Sequence, residues 1–501
     1  SGNFQKGRCR HTMNTRTMKY KCLTPFIILL LLAGCAVGPD FEQPETQAPE
    51  SYRTRVMPTD PMVDLKWWEL FDDPLLYSLV TTALENNRDI KIAVSRIAQA
   101  RATVGFTQAD QYPRIDVEAG AATGNFSGGS RSPDTNTTLY LAAPLNWEID
   151  FWGKFKRSTE AARAQLMASE YGFKTIQLTL IADVVASYYQ LLDYHQRLAI
   201  SKHTLESRTA SLHIIQQRFD KGIIAELDVN QAQIQKEIAA AAIPLYERSI
   251  AKTENGLSIL LGRRPGAIAT GEILSGQSSP PEIPVGIPAD ILARRPDIGQ
   301  AMYLLKAQTA SIGVAQALRL PAINLTGALG VASTELGSVT TEGGVWSVGG
   351  SLLGPIIDFG KNKRRVEIEE QKTQQALYQY ENTVLTAFRE VEDALTEIAT
   401  YRQELEAIER QQKAAKNAND LSKQRYDKGV SSYLEVLDTE RTLFNAELQQ
   451  SSLQQQYLNA YVNLYKALGG GWITKEDLQA SSAADGSTAA EPTSGPDASK
   501  N

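Results

Sequence analysis

The chain of 501 residues has three cysteines, Cys9, Cys22 and Cys35, and none after position 35. A disulfide framework is therefore excluded for the bulk of the chain. Long hydrophobic runs are equally scarce. The apolar stretch Phe26–Leu32 is far too short for a transmembrane helix, and no other segment is a candidate for one. Histidines number four, and His195, His203 and His213 share one helical segment at spacings of eight and ten. That is not the i, i+4 spacing of helical metal ligands. After Cys35, methionine occurs only at positions 57, 62, 167 and 302, without clustering. The net charge is −6 with signs well mixed, which argues against nucleic acid as the main partner. A nucleophile elbow, a zincin motif and a P-loop are all missing. Neither catalysis nor a metal site is expected.

What is present begins at the N-terminus. From Met18 the chain reads MKYKCLTPFIILLLLAGC, a basic start, a short apolar core and then small residues. That is the pattern of a secretory signal. Leu32-Ala33-Gly34-Cys35 resembles a bacterial lipobox, which implies cleavage before Cys35 and acylation of that cysteine. The alternative is an ordinary signal peptide with an incidental cysteine. Several acyl chains on one residue would anchor durably, where a single chain is marginal. Ala36, in place of Asp, fits the sorting preference of outer-membrane lipoproteins. Beyond the covalent lipid on Cys35 no cofactor is expected. Residues 1–17 read as lying upstream of a natural start at Met18, with Met13 the other candidate start.

The chain is internally duplicated. Arg88-Asp89-Ile90 is echoed by Pro296-Asp297-Ile298 at a displacement of 208 residues. The same displacement carries Gly105 to Gly313, Gln108-Ala109 to Gln316-Ala317, Pro113 to Pro321, and Asp150-Phe151 to Asp358-Phe359. Trp152 is extra in the first copy, and the displacement is 207 thereafter. QRFDKG (217–222) then maps onto QRYDKG (424–429), and Leu261-Gly262 onto Leu468-Gly469. A register this constant marks two copies of one unit.

Within a unit the hydrophobic period switches. Residues 86–111 read as helix, and strict alternation begins at Ile115. Leu139, Leu141, Ala143, Leu145, Trp147, Ile149 and Phe151 oppose Tyr140, Asn146, Glu148 and Asp150. This predicts a hairpin of two long strands, each with one apolar and one polar face, around a Gly/Ser-rich loop at 123–138. The second unit repeats it at 322–333 and 345–359, with more glycine. A very long helix follows each hairpin. Residues 362–428 lack glycine and proline, and Leu377, Tyr380, Val384, Phe388, Val391 and Leu395 begin a seam at 3–4 spacing. Val184, Tyr188, Leu191, Leu198 and Leu205 form the matching seam in the first unit. Shorter return helices are expected at 226–262 and 433–468, the first kinked by Pro244.

The expected organisation is a signal and upstream region at 1–34 and a lipidated segment with an equatorial region at 35–85. The repeats occupy 86–262 and 297–469. A Pro/Gly-rich connector with little regular structure lies between them at 263–296, and a low-complexity, disordered tail follows at 470–501.

Four amphipathic strands cannot close a membrane barrel, since about eight is the minimum, and open edges cannot face lipid. The strands form a small soluble sheet, or several chains pool them. Three chains would supply twelve.

The strings LAGCAVGPDFEQP (32–44), WWELFDDPLL (67–76), NNRDIKIA (86–93), WEIDFWGKFKR (147–157), LARRPDI (292–298), GPIIDFGKNKRR (354–365), SYLEVLDTER (432–441) and ALGGGW (467–472) carry a family resemblance. The chain resembles the TolC family of outer-membrane efflux channels, in its lipoprotein branch, over nearly all of the mature length. The resemblance implies an α+β fold. A homotrimer would form a twelve-stranded transmembrane β-barrel, four strands per chain, continued by a long periplasmic α-helical barrel with a mixed equatorial region. It also implies docking with a periplasmic adaptor and an inner-membrane pump of the resistance-nodulation-division class, as a passive exit duct for drugs, toxic small molecules or metal ions.

The resemblance further suggests a periplasmic gate. Glu435 and Asp438 match acidic positions that form rings at the closed end of the family's tunnel, and Tyr426 matches an aromatic near the same turn. Read alone, the two acids are a solvated i, i+3 pair at the start of a helix. Asp228 is the repeat counterpart of Glu435, while Gln231 replaces Asp438. Ser431 stands where the family's type member has a latching arginine. Asp116, Glu118, Glu148 and Asp150 are expected to face a barrel lumen or, in an ordinary sheet, solvent. Phe151, Gly153, Phe359 and Gly360 are read as strand-to-helix joints with basic residues at the headgroup level. Asp358-Phe359-Gly360 spells a kinase magnesium triplet, but its glycine-rich and catalytic-loop partners are missing. Trp67 and Trp68 read as packing residues. The competing reading is a lipid-anchored periplasmic coiled-coil adaptor or scaffold. It explains the helices and leaves the two hairpins unexplained.

Overall fold

A computed structural model describes residues 36–46, 48–49, 51–53, 73–127, 130–271, 274, 288–333 and 344–470. Cys35, Trp67, Trp68 and the tail lie outside the described residues. In chain order the helices are α1 (Pro74–Asn86), α2 (Arg88–Ala109), α3 (Lys154–Asp220), α4 (Glu226–Leu260), α5 (Pro288–Arg294), α6 (Pro296–Ala317), α7 (Lys361–Asp427) and α8 (Tyr433–Ala467). The strands are β1 (Arg114–Ile115), β2 (Glu118–Ser127), β3 (Ser130–Ile149), β4 (Ala322–Ser333) and β5 (Gly344–Leu353). The duplication holds element by element: α2 and α6 begin 208 residues apart, and both α3/α7 and α4/α8 begin 207 apart. The long helices are both 67 residues, about 100 Å at 1.5 Å per residue. The connector contains the seven-residue α5, which opens on Pro288, where a missing N–H costs nothing.

The chain divides into two compact units. One comprises the chain up to Pro44, Ile97–Ala168 and Ala301–Tyr380, and holds the sheet. The other comprises Glu45–Arg96, Ser169–Gln300 and the chain from Glu381 onward, and is helical.

In the first unit the strands are antiparallel in the order β2–β3–β4–β5, with β1 also on β3. Register puts Leu139, Leu141, Leu145, Trp147 and Ile149 on one face with Ile323, Leu325, Leu329, Trp346, Val348 and Leu352. Leu329, Trp346, Val348 and Leu352 are between 70% and 81% exposed. The opposite face carries Glu118, Tyr140, Asn146, Glu148, Asn324 and Thr326. An apolar face left this bare is a surface made for an apolar neighbour.

The strands differ from expectation in three places. The first breaks between β1 and β2 because Asp116 faces Pro144. The Asp116 N–H donates to the Pro144 carbonyl at 3.0 Å, and proline has no N–H to return. The Gly/Ser-rich stretch is drawn into the hairpin, with β2 running to Ser127 and β3 starting at Ser130. Finally, β5 stops at Leu353, six residues early. Its partner β4 begins at Ala322, opposite Leu353, and Gly354-Pro355 follows.

In the helical unit the seams are the core. Val184, Tyr188, Leu191, Val384, Val391 and Leu395 are all buried. Pro244 sits inside α4 without ending it. Its counterpart in α8 is Ser451, whose hydroxyl donates to the buried Asp193 Oδ1 at 2.6 Å. Asp193 also pairs with Arg197 at 2.8 Å, as a buried carboxylate requires.

Candidate functional site at the helix tips

The two tips are built alike. Gly222 and Gly429 have φ of +73° and +70°, conformations that cost a residue with a Cβ about 1–2 kcal/mol. The Gly222 N–H donates to Phe219 O and that of Ile223 to Arg218 O; Gly429 to Tyr426 O and Val430 to Arg425 O repeat the pair. This is the double bond of a Schellman cap, and it turns each long helix directly into its return helix.

Around these turns α3, α4, α7 and α8 enclose a small core of Ile215, Ala232, Tyr433, Val436 and Leu437, packed against Leu212, Ile224, Val229 and Tyr426. The Tyr426 and Tyr433 rings lie 5.3 Å apart. Burial, with Glu440 nearby, pushes the Tyr433 phenol well above its ordinary range, so it stays neutral. Tyr426, singled out from sequence, is thus part of a packed aromatic pair.

Charge surrounds that core. Arg425 Nε lies 3.1 Å from Glu435 Oε1, and Arg441 lies 2.7 Å from Asp438 Oδ1. Arg218 pairs with Asp427 at 3.1 Å and sits 4.8 Å above the Tyr426 ring. Glu435 and Asp438 each remain substantially exposed, so the pairs are worth at most about 1 kcal/mol apiece. Asp438 and Arg441 also line a cavity of about 250 Å³ with Gln231, Gln235, Ile234 and Leu434. Asp228 is half-buried in the first turn of α4 and contributes its charge toward Tyr433. Behind the tip, Arg208 is 2% exposed and donates to the Gln235 carbonyl at 2.6 Å, with its guanidinium 5.0 Å from the Phe444 ring. Burial lowers its pKa from the ordinary value.

The tip arginines were missed in sequence, although Arg218 and Arg425 stand in the repeated QR-(F/Y)-DKG string. Arg441 is three residues after Asp438 on one helix face. Arg208, a lone cation between Leu205 and Leu212 in the seam, was the clearest available signal.

The remaining candidates fall elsewhere. Glu118 and Glu148 lie on the polar face of the sheet, accepting from the Tyr140 hydroxyl at 3.0 Å and pairing with Lys154 at 2.6 Å. Asp116 and Asp150 are off the strands. Asp116 pairs with Arg114 at 2.8 Å between β1 and β2. Asp150 lies beyond β3 and accepts the backbone N–H groups of Phe155 and Lys156 at 3.0 and 2.7 Å, capping α3. Asp358 does the same for α7, accepting from Asn362 and Gly360 at 3.1 and 3.0 Å. Those two donors hold its carboxyl below the usual carboxylate range. The kinase-like triplet is a helix cap. Gly153 and Gly360 turn at φ of +76° and +84°, and Phe359 is also left-handed at +50°.

The comparisons identify the class. The family model described as "Outer membrane efflux protein" matches residues 79–263 and 287–470, that is, both repeats. The chain is 33% identical to the "Probable outer membrane lipoprotein SilC" of Salmonella typhimurium, over 89% of this chain and 97% of that one. It is 34% identical to the "Toluene efflux pump outer membrane protein TtgI" of Pseudomonas putida, over 92% and 100%. The solved outer-membrane channel OprN superposes with a TM-score of 0.80 at 30% identity, covering 87% of this chain and all of that one. The chain belongs to the outer membrane efflux protein family, the TolC family of channels. It is an outer-membrane efflux channel, and that is the membrane in which it works.

Proposed function

We propose that the chain acts as a homotrimer, a passive exit duct that joins a periplasmic adaptor and an inner-membrane pump of the resistance-nodulation-division class. The observation that carries this is the sheet, whose apolar face is bare and whose outer strands β2 and β5 each keep an edge unpaired among the described residues. An open edge is intolerable in lipid. Because the four strands alternate in direction, β5 of one copy meets β2 of the next antiparallel, and three copies close a ring of twelve. Acylation of Cys35 would anchor each copy, a reading supported by the lipoprotein name of the Salmonella relative. The cargo falls among drugs, toxic small molecules or metal ions, and the toluene pump named for one relative supports small apolar compounds among them.

Glu435 and Asp438 serve as the gate. Threefold symmetry would bring each carboxylate round the axis three times, with Arg425 and Arg441 as counter-charges. Replacing both acids by alanine removes the carboxylates and frees the arginines. Conductance in planar bilayers should then rise and cation preference fall. Wild-type conductance together with wild-type selectivity would remove the gate assignment.

A further inference from the structure

One cavity has no part in the family function. About 710 Å³ in volume, it lies in the sheet-bearing unit between the start of α3, the middle of α6 and residues 36–40. Arg157 holds those residues in place. Its guanidinium donates to the carbonyls of Val37 and Gly38, both at 3.2 Å, and pairs with Asp40 and Glu160, both at 2.8 Å. The two carboxylates on the wall are thereby engaged by a cation that is itself buried.

Three more cations line the same wall. Lys156 and Arg163 are seven residues apart on one face of α3, and Lys306 projects from α6. Among the described residues none of the three has a carboxylate partner, and Lys306 meets only the Phe41 ring, at 5.8 Å. The rest of the wall includes Ala36, Ala164 and Met167, so part of the lining is apolar. Four cations against two carboxylates leave the lining a net charge of +2, and a positive cavity with apolar side chains in its wall suits an anion that carries an acyl-glycerol body.

We infer that this cavity binds a phosphate-bearing anion, the headgroup of an anionic phospholipid. The inference rests on the outer-membrane location and not on the gate or the pump, so it can fail while the efflux reading stands.

The test uses the full-length protein, delipidated in detergent and supplied with phosphatidylglycerol, phosphatidylcholine or inorganic phosphate. Bound species are counted by native mass spectrometry. The expected result is retention of phosphatidylglycerol over phosphatidylcholine, weakened on the order of tenfold or more in Lys156→Ala/Arg163→Ala/Lys306→Ala. A control removes three cations at the other joint, Lys361→Ala/Lys363→Ala/Arg364→Ala, and should retain the lipid. Lys156→Arg/Lys306→Arg should also retain it, which separates lost charge from lost folding. Retention of inorganic phosphate alone, with the same dependence on the three cations, would identify a free phosphate as the source of the anion. Equal loss in the cavity triple and the control triple, or retention neither of phosphatidylglycerol over phosphatidylcholine nor of inorganic phosphate, overturns the site.

Discussion

At the first strand-to-helix joint the Trp152 indole donates to the Pro321 carbonyl at 2.8 Å, and its backbone carbonyl accepts from Val37 at 3.1 Å. At the second joint, one residue shorter, no tryptophan stands there and Phe359 is 100% exposed, with Ile356 nearly so. The caps, the positive-φ glycines and the helices that follow are the same. The inserted residue therefore does not make the joint; it makes one joint a dock for the N-terminal segment and leaves its twin bare. The glycines upstream tell the same story. A Cβ at Gly313 would stand 2.8 Å from both Arg157 Cγ and the Val37 carbonyl, whereas one at its counterpart Gly105 meets nothing within 4 Å. Duplication supplied two equivalent frames, and single residues assign them different neighbours.

The largest expected effect tests a pair of side chains at equivalent positions. Asn87 Nδ2 donates to the Leu260 carbonyl at 2.9 Å, closing the end of α4. Arg295, its counterpart, donates to the Ala467 carbonyl at 2.9 Å, closing α8. The amide also caps α2, accepting from Asp89 N and Ile90 N. The guanidinium instead pairs with both oxygens of Asp297, at 3.1 and 2.6 Å, and with Glu390 at 2.7 Å. Arg295→Ala strands two partly exposed carboxylates and should cost about 2–3 kcal/mol, below the figure for a fully buried pair. Asn87→Ala should cost about 1–2 kcal/mol, mostly as a lost cap. Chemical denaturation of the two variants decides it; equal losses would mean the ion pairs add nothing.

The glycine pair comes next. Gly313→Ala should lose about 1–3 kcal/mol through overpacking against Arg157 and residue 37. Gly105→Ala should gain about 0.5–1 kcal/mol as an ordinary helix improvement. Thermal unfolding of the purified protein reads both. If Gly105→Ala is also destabilising, the bare face of α2 is covered in the assembly, and the asymmetry belongs to the isolated chain alone.

The repeat, the helix bounds and the glycine turns were legible because backbone requirements leave marks in the letters. A 67-residue helix excludes proline, and a left-handed position selects glycine. Asp150 and Asp358 were not legible in the same way. An aspartate ending an alternating strand and an aspartate capping the next helix are spelled identically, and the cap is revealed only by which N–H groups point at it. The β1/β2 break depended on Pro144 facing Asp116, a cross-strand register that no local pattern states. Arg157 was visible as one of a basic cluster, but apart from Glu160 its partners lie more than a hundred residues upstream at 37–40. Tip acids were found through resemblance; their arginine partners needed the fold.

The smallest expected effect concerns a charge that one repeat has and the other lacks. Glu447 in α8 corresponds to Ala240 in α4. Burial raises the Glu447 pKa from its ordinary value, and the opposing charges of His203 and Lys416 do not cancel the rise. The native state therefore holds this proton more tightly than the unfolded chain does. Between the ordinary glutamate pKa and the raised one, stability falls as pH rises, and above the raised value the full desolvation cost remains. Below the ordinary pKa the side chain is neutral in both states and the cost is gone. Glu447→Ala, which writes the first repeat's residue into the second, should thus help slightly at neutral pH. That advantage should shrink as the pH drops into the acid range. Unfolding midpoints of wild type and variant across a pH series would show the two curves converging toward acid. Parallel curves would mean that the carboxylate is as well solvated as if it were on the surface, and that the seam of α8 tolerates charge where α4 has none.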